Sequence, residues 1–263
     1  MYRLLVVTDQ QDIQQTIEKV DQWEIMGFRK PRIVHTVEEA AQRLSNHRVD
    51  AIGMRIDDDK KEELETLLTT QYPTIPIIHL STRVDGQIEV IQDLKLYLNR
   101  INADYSNDSY TVQDMITIEQ NHFMHDLLSE KIHSQLQLKR QTNMMRLPVY
   151  LDGPCMIIEM DTPQGDEFLS ARWHYGSERL EVALRNFFSN YIINYYFAIA
   201  VVSPTIMRMV ICPFKEDTKQ SVDQEIIDAI KEAIDSIETY LDLHITIKNV
   251  GVIEGIQGLV NTL

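Results

Sequence analysis

The chain has 263 residues, enough for two domains, and its 44% hydrophobic and 25% charged content excludes global disorder. Forty acidic residues against 25 basic ones leave a formal net charge of −15, which argues against a stand-alone nucleic-acid binder or a protein drawn to anionic lipid. Cys155 and Cys212, the two cysteines, stand in no metal or redox spacing, and no apolar run has the length of a signal-peptide core or a membrane span. Together these features predict a cytoplasmic protein without a membrane partner.

Over the first hundred residues short apolar runs alternate with helical patterns. Leu4–Val7, Arg32–Val34, Ala51–Met54 and Ile75–Ile78 read as strands, and a weaker fifth strand is expected near Leu96–Leu98. Between them fall a helix over 10–20 with Ile13, Ile17 and Val20 on one face, a second marked by Val37, Ala40, Ala41 and Leu44, a third by Leu64, Leu67 and Leu68, and a fourth before the last strand. This alternation predicts a parallel sheet covered on both faces. The polar stretch 102–109 reads as a break. A long helix over about 110–142 follows, with Phe123, Met124, Leu127, Leu128, Ile132 and Leu136 on one stripe. Such a stripe suits packing on its own domain, or a connecting helix that also pairs with a second subunit. Leu147-Pro148 ends it.

The second half has another rhythm. Cys155–Glu159 reads as a strand and 178–192 as a helix with Leu180, Ala183, Leu184, Phe187 and Tyr191 inward. Tyr196–Val202 and Ile206–Cys212 form a hairpin across Ser203-Pro204-Thr205. An amphipathic helix over 220–241 carries Val222, Ile226, Ile230, Ile234, Ile237 and Leu241, and a last strand covers His244–Val250. The order β-α-β-β-α-β is that of ferredoxin-like domains, which nucleotide cyclase domains share.

In the first half LLVVTDQ, DQWEIMGF and HRVDAIGMRID, and in the second HFMHDLLSEKI followed by MMRLPVYLDGPCMIIEMD, resemble AraC-type response regulators of the YesN kind. The resemblance runs over most of the chain. It implies a CheY-like (flavodoxin-like) doubly wound receiver over 1–108, a helical linker over 109–146 and a degenerate GGDEF-like, ferredoxin-like α+β domain over 147–263. The family's DNA-binding helix-turn-helix pair would follow, and the chain stops at Leu263. Either this is part of a longer regulator or the regulator lacks a DNA-binding domain of its own.

In the family two acids after the first strand and one aspartate after the third hold Mg²⁺, a hard cation that wants oxygen ligands, and the last of these aspartates takes the phosphoryl group. Carried over, the first pair falls on Thr8 and Asp9, the acceptor on Arg55, the hydroxyl after the fourth strand on Ser81 and the lysine near Arg100. An arginine cannot accept a phosphoryl group and its charge opposes Mg²⁺, so the resemblance implies a pseudo-receiver without that chemistry. A register shift onto Asp57 would restore an acceptor at the cost of burying Arg55. Arg55 either pairs with Asp9, filling the place of the ion, or points to solvent.

Gly165-Asp166-Glu167-Phe168 spells GDEF, but after the first strand of its domain and not on the hairpin, where VVSPTIM has neither glycine nor acid. Asp161 is the remaining candidate for cyclase-type metal binding. His122 and His125 with Glu119 and Asp126 have a spacing compatible with a metal site or with a solvated helix face. Trp173-His174-Tyr175 suits ligand stacking or packing, and Tyr191, Tyr195, Tyr196 and Phe197 read as core. No nucleophile elbow, P-loop or dinucleotide glycine pattern occurs. The expectation is a non-enzymatic signalling module of a two-component-type transcriptional regulator, with no metal and no cofactor. Its expected partners are a second copy through the 110–142 helix, a histidine kinase or other regulatory protein, and DNA only through a domain outside this chain. Small-ligand sensing or a divergent nucleotide-binding domain is the alternative.

Overall fold

A computed structural model describes residues 1–102, 110–149, 152–214 and 224–262. The chain divides into two compact units, one of residues 1–119 with 140–147 and one of residues 120–139 with 148–263. The 109–146 stretch is therefore shared out between the units. The expected polar boundary at 102–109 lies, apart from Asn102, outside the described residues.

The first unit is an α/β layer structure. Strands β1 (Leu4–Thr8), β2 (Arg32–Val34), β3 (Ala51–Arg55) and β4 (Ile77–His79) form an all-parallel sheet in the order β2-β1-β3-β4. Four of β3's five residues and all of β1 are buried, as a sheet covered on both faces requires. Helices α2 (Val37–Asn46) and α3 (Asp58–Gln71) bury Val37, Ala40, Leu44, Leu64 and Leu68 against Leu5, Val7, Ile52 and Met54. Helices α1 (Gln11–Lys19) and α4 (Val84–Ile101) pack on one another. Thr36 caps α2, its hydroxyl accepting from the Glu39 amide.

The fifth strand expected at Leu96–Leu98 is not formed. Those residues lie inside α4, whose buried positions Gln87, Val90, Ile91, Leu94, Tyr97, Leu98 and Ile101 recur every three or four residues. That is a helical period, and the run from Gln87 to Ile101 carries no glycine or proline that would end the helix.

The long helix expected over 110–142 is two helices, α5 (Val112–Leu128) and α6 (Gln135–Met144). Glu130 adopts φ 61°, the Glu130 amide donates to the Leu127 carbonyl and the Lys131 amide to the Asp126 carbonyl, a Schellman closure without glycine. Arg146 ends α6 in the same way at φ 54°.

The second unit holds β5 (Pro154–Asp161), β6 (Tyr195–Ser203), β7 (Ile206–Pro213) and β8 (Thr246–Glu254) in one antiparallel sheet, ordered β6-β7-β5-β8. A three-residue helix, α7 (Gly165–Glu167), a π-helical turn (Phe168–Arg172) and α8 (Ser177–Ser189) connect β5 to β6. Helix α9 (Gln224–Leu241) connects β7 to β8, and the chain ends through α10 (Leu259–Thr262). The β-α-β-β-α-β order read from the sequence is thus formed, although Val222 and the start of the expected 220–241 helix lie outside the described residues. Met156, Ile158 and Met160 of β5 share a core with Leu180, Leu184 and Phe188 of α8 and Ile226, Ile230, Ile234 and Ile237 of α9. Tyr191, Tyr195 and Phe197 pack at its margin.

Residues 120–139 belong to this second unit. Arg208 of β7 alternates with the core residues Met207 and Met209, so it points to the opposite sheet face, where its Nη1 donates to the Leu128 carbonyl at 3.0 Å. The apolar stripe is largely buried: Phe123, Met124, Leu127, Leu128 and Ile132 are 0–6% exposed in the isolated chain, and Leu136 stands apart at 59%. Those five side chains are therefore buried within their own chain, one of the two placements that the sequence left open for the stripe. Among the described residues no helix is long and apolar enough to cross a membrane.

Candidate functional site

In a parallel sheet with helices on both faces, ligands bind beyond the carboxyl ends of the strands, where neighbouring connections run to opposite sides. In the first unit that place lies between β1 and β3, and Thr8 and Arg55 are its last paired residues, directly opposite one another. The strand register therefore needs no shift: Arg55 closes β3, Ile56 is buried, and Asp57 is the exposed N-cap of α3 without a capping bond of its own.

The expected pair of Arg55 with Asp9 is not formed. Asp9 Oδ2 accepts from Lys60 Nζ at 2.8 Å, while Asp9 Oδ1 is enclosed without a protein partner. Lys60 is the third residue of α3, and one helical turn brings its long side chain back over the strand ends. The bond to Asp9, followed by that carboxylate's charge and the more distant Asp57 and Glu38, holds the Lys60 ammonium above its usual range. Arg55 instead donates from Nε to Gln10 Oε1 at 3.2 Å and from Nη1 to the Leu80 carbonyl at 3.1 Å, spanning the ends of three segments while remaining exposed to solvent. Thr8 is buried, its hydroxyl accepting from the Gln10 amide.

Ser81 follows β4 at the same end. Its amide donates to Gln87 Oε1 at 2.8 Å, and its hydroxyl accepts from the Arg83 amide at 3.1 Å. Gln87 is completely buried, so a turn of α4 fixes this loop from beneath. A shallow open depression beside the site is lined by Met54, Arg55, Ile56, Asp58, Lys61, His79 and Leu80.

Arg100 does not join the site. Helix α4 leaves the carboxyl end of β4 and runs 18 residues, about 27 Å at 1.5 Å per residue, back along the sheet. Its neighbour Asn99 accepts a hydrogen bond from the hydroxyl of Tyr2, which precedes β1, so Arg100 lies at the opposite pole. There its Nε binds Glu119 Oε2 at 2.8 Å.

Thr8, Asp9, Arg55 and Ser81 are thus gathered, with Gln10, Lys60 and Gln87 as members that sequence reasoning missed. The group does not suit Mg²⁺: the single first-strand acid is neutralised by an ammonium, and a guanidinium occupies the third-strand position where an oxygen ligand is needed. Chemically the arrangement holds charges in place and offers no carboxylate nucleophile at the end of β3.

The second unit's candidates are likewise committed. Gly165 of the GDEF letters opens α7 against the hairpin turn, where a Cβ would fall 1.7 Å from the Pro204 carbonyl oxygen. Thr162 donates to that turn twice, from its hydroxyl to Pro204 O and from its amide to Thr205 O. The hairpin tip is consequently filled by its own chain, and Phe168 enters the core. Lys248 Nζ lies 2.9 Å from Glu159 and 3.8 Å from Asp161, which occupies the carboxylates of β5. Among the helix-face group, His125 Nδ1 is 2.7 Å from Glu181 Oε1, Glu119 pairs with Arg100 and Asp126 with Lys131. Among the described residues no three His, Cys, Asp or Glu side chains are grouped to hold a metal. Trp173 stacks on Phe168, meets Tyr175 edge-on and donates to the Gly176 carbonyl, so it serves packing. Compared with known protein families the chain matches none, and no curated protein matches it either.

Proposed function

We propose that this chain is a non-enzymatic signalling module of a two-component-type transcriptional regulator, in which a receiver-like unit has lost its phosphate chemistry and kept its scaffold. One observation carries the reading: at the crevice between β1 and β3 an arginine stands where a phospho-acceptor would be, in register with Thr8, and Lys60 neutralises the neighbouring Asp9. The β2-β1-β3-β4 order is the first part of the flavodoxin-like order and supports a CheY-like ancestry for this unit. In the second unit, the order β6-β7-β5-β8 places β7 between the parallel strands β5 and β6, a split β-α-β arrangement that supports a degenerate GGDEF-type, ferredoxin-like domain. Such a module works in the cytoplasm by contact with a kinase or another regulatory protein, and would reach DNA only through a domain outside this chain. A homodimer suits paired DNA half-sites and would use surface other than the buried stripe of α5.

The test is intact-mass spectrometry after incubation with acetyl phosphate and Mg²⁺. The expected result is an unchanged mass. A hydroxylamine-labile gain of one phosphoryl group, abolished in Asp57→Asn, would overturn the reading.

A further inference from the structure

The chain's two cysteines lie 57 positions apart (212 − 155), and the fold brings them together. Cys155 is the second residue of β5 and Cys212 the second-last of β7. These strands pair antiparallel with Met156 opposite Ile211, and one rung further on Cys155 comes opposite Cys212. Opposite residues share a sheet face. Here Tyr196 lies beside Cys212 and Ile253 beside Cys155, so the row reads Tyr196, Cys212, Cys155, Ile253. Both side chains are wholly buried, Cys155 is close enough to help raise the Cys212 thiol, and Cys155 Sγ donates to the Gly153 carbonyl at 3.4 Å. The Cα atoms of directly opposed residues on antiparallel strands are about 4.5–5.5 Å apart. That lies within the roughly 4.4–6.8 Å span that a disulfide bridges without moving the backbone.

We propose that Cys155 and Cys212 are an oxidation site, a cross-strand dithiol that closes reversibly to a disulfide on exchange with a low-molecular-weight disulfide. The inference goes beyond the signalling reading and does not depend on it. One protein thiolate attacks a sulfur of oxidised glutathione, forming a mixed disulfide and releasing one glutathione thiolate. The second protein thiolate attacks the mixed disulfide's protein sulfur, forms the Cys155–Cys212 bond and releases the other glutathione. Two protein thiols are oxidised, one glutathione disulfide is reduced, and the two thiol protons end on the two released glutathiones.

Position explains how a buried pair can react and why it does so slowly. Burial, reinforced by Cys155 beside it, pushes the Cys212 thiol well up, which keeps that thiol protonated and unreactive at rest. Both residues sit one position from the end of their strands, so local opening there, with the Val149–Phe214 bridge just beyond, exposes them without unfolding the whole sheet. That opening exposes a thiolate, and reclosing sets the mixed disulfide against the second sulfur.

The experiment titrates the full chain in glutathione buffers of varied [GSH]²/[GSSG], native and in urea, with quenching and intact-mass readout. The expected native product has lost two hydrogen atoms, gives one peptide joining residues 155 and 212, and returns to the starting mass with dithiothreitol. Because the native strands hold the thiols together, half-oxidation should occur at a [GSH]²/[GSSG] on the order of a hundredfold higher than in the urea-unfolded chain. Cys212→Ser should carry at most one glutathione. A native chain that needs the same or a more oxidising buffer than the unfolded one, that stops at glutathione adducts, or that joins two chains would overturn the proposal.

Discussion

Gly165→Ala separates a sequence-based expectation from the one the structure gives. Alanine is the better helix former by up to about 1 kcal/mol, so at the first residue of a helix the sequence alone argues for stabilisation. The structure argues the reverse. The added methyl would meet the Pro204 carbonyl oxygen at 1.7 Å, and a backbone atom cannot rotate out of the way. The turn and α7 would have to separate by more than an ångström, which breaks the two Thr162 bonds to Pro204 and Thr205. Two hydrogen bonds at about 1 kcal/mol each and a local overpacking of about 1–3 kcal/mol make a net loss of about 3–5 kcal/mol. That is a large part of the ~5–15 kcal/mol that holds a domain together. Trp173 reports on this region because it stacks on Phe168, three residues after the glycine. In a Trp23→Phe background, which leaves Trp173 as the only indole, the urea midpoint should fall by on the order of 2 M. A midpoint that stays or rises would refute the close approach of α7 to the hairpin.

Arg146 donates to the Leu68 and Tyr72 carbonyls and to the Thr69 hydroxyl, closing the open end of α3, so Arg146→Ala should cost about 2–3 kcal/mol in the thermal unfolding of the first unit. Arg146→Lys should recover little of this, since a single ammonium cannot reach three acceptors in a plane, and full recovery would contradict the cap. In the second unit the bond from Lys248, then its charge and Arg208, hold the Glu159 carboxyl below its ordinary 4.5. A lowered folded value means stability that is present above the unfolded value and lost as pH falls through the folded one. Urea midpoints measured from pH 7 down to pH 3 should therefore fall less steeply for Glu159→Gln than for the parent chain, and parallel curves would count against this pair.

Periodicity made most of the fold legible. Eight strands and the amphipathic helices α2, α8 and α9 stand close to where apolar spacing puts them, because burial on one face leaves a regular mark in sequence. The misses have particular causes. Leu96-Tyr97-Leu98 looks like a strand when read alone, and only the recurrence from Gln87 to Ile101 shows it to be helix. The end of α5 was hidden because a glutamate, not a glycine or proline, takes the left-handed position at residue 130. In the crevice, counting along the strands found Thr8, Asp9 and Arg55. Which cation meets Asp9 depends on the path of α3, a tertiary matter that spacing does not encode, and Lys60 wins by one helical turn. Arg100 was misplaced because the resemblance assumed a fifth strand. Cys155 and Cys212 looked unrelated because their meeting depends on the register of β5 against β7.

The division of the chain has a consequence for how the protein is made. The first unit is discontinuous: its main body ends at Glu119, and residues 140–147 return to it after a twenty-residue excursion into the second unit. Arg146, which closes α3, lies in the returning piece. On a ribosome the chain emerges amino end first, so the first unit stays unfinished until residue 147 has left the exit tunnel. By then the segment 120–139, with its five nearly inaccessible apolar side chains from Phe123 to Ile132, has already been synthesised ahead of the rest of the second unit. A cut at the apparent boundary near residue 108 would yield an amino-terminal fragment without its clasp, whereas a fragment from 1 to 147 would carry the clasp together with an unpaired apolar segment. The two units are therefore interleaved in synthesis: a fragment that ends before residue 140 lacks part of the first, and one that ends at 147 already carries part of the second.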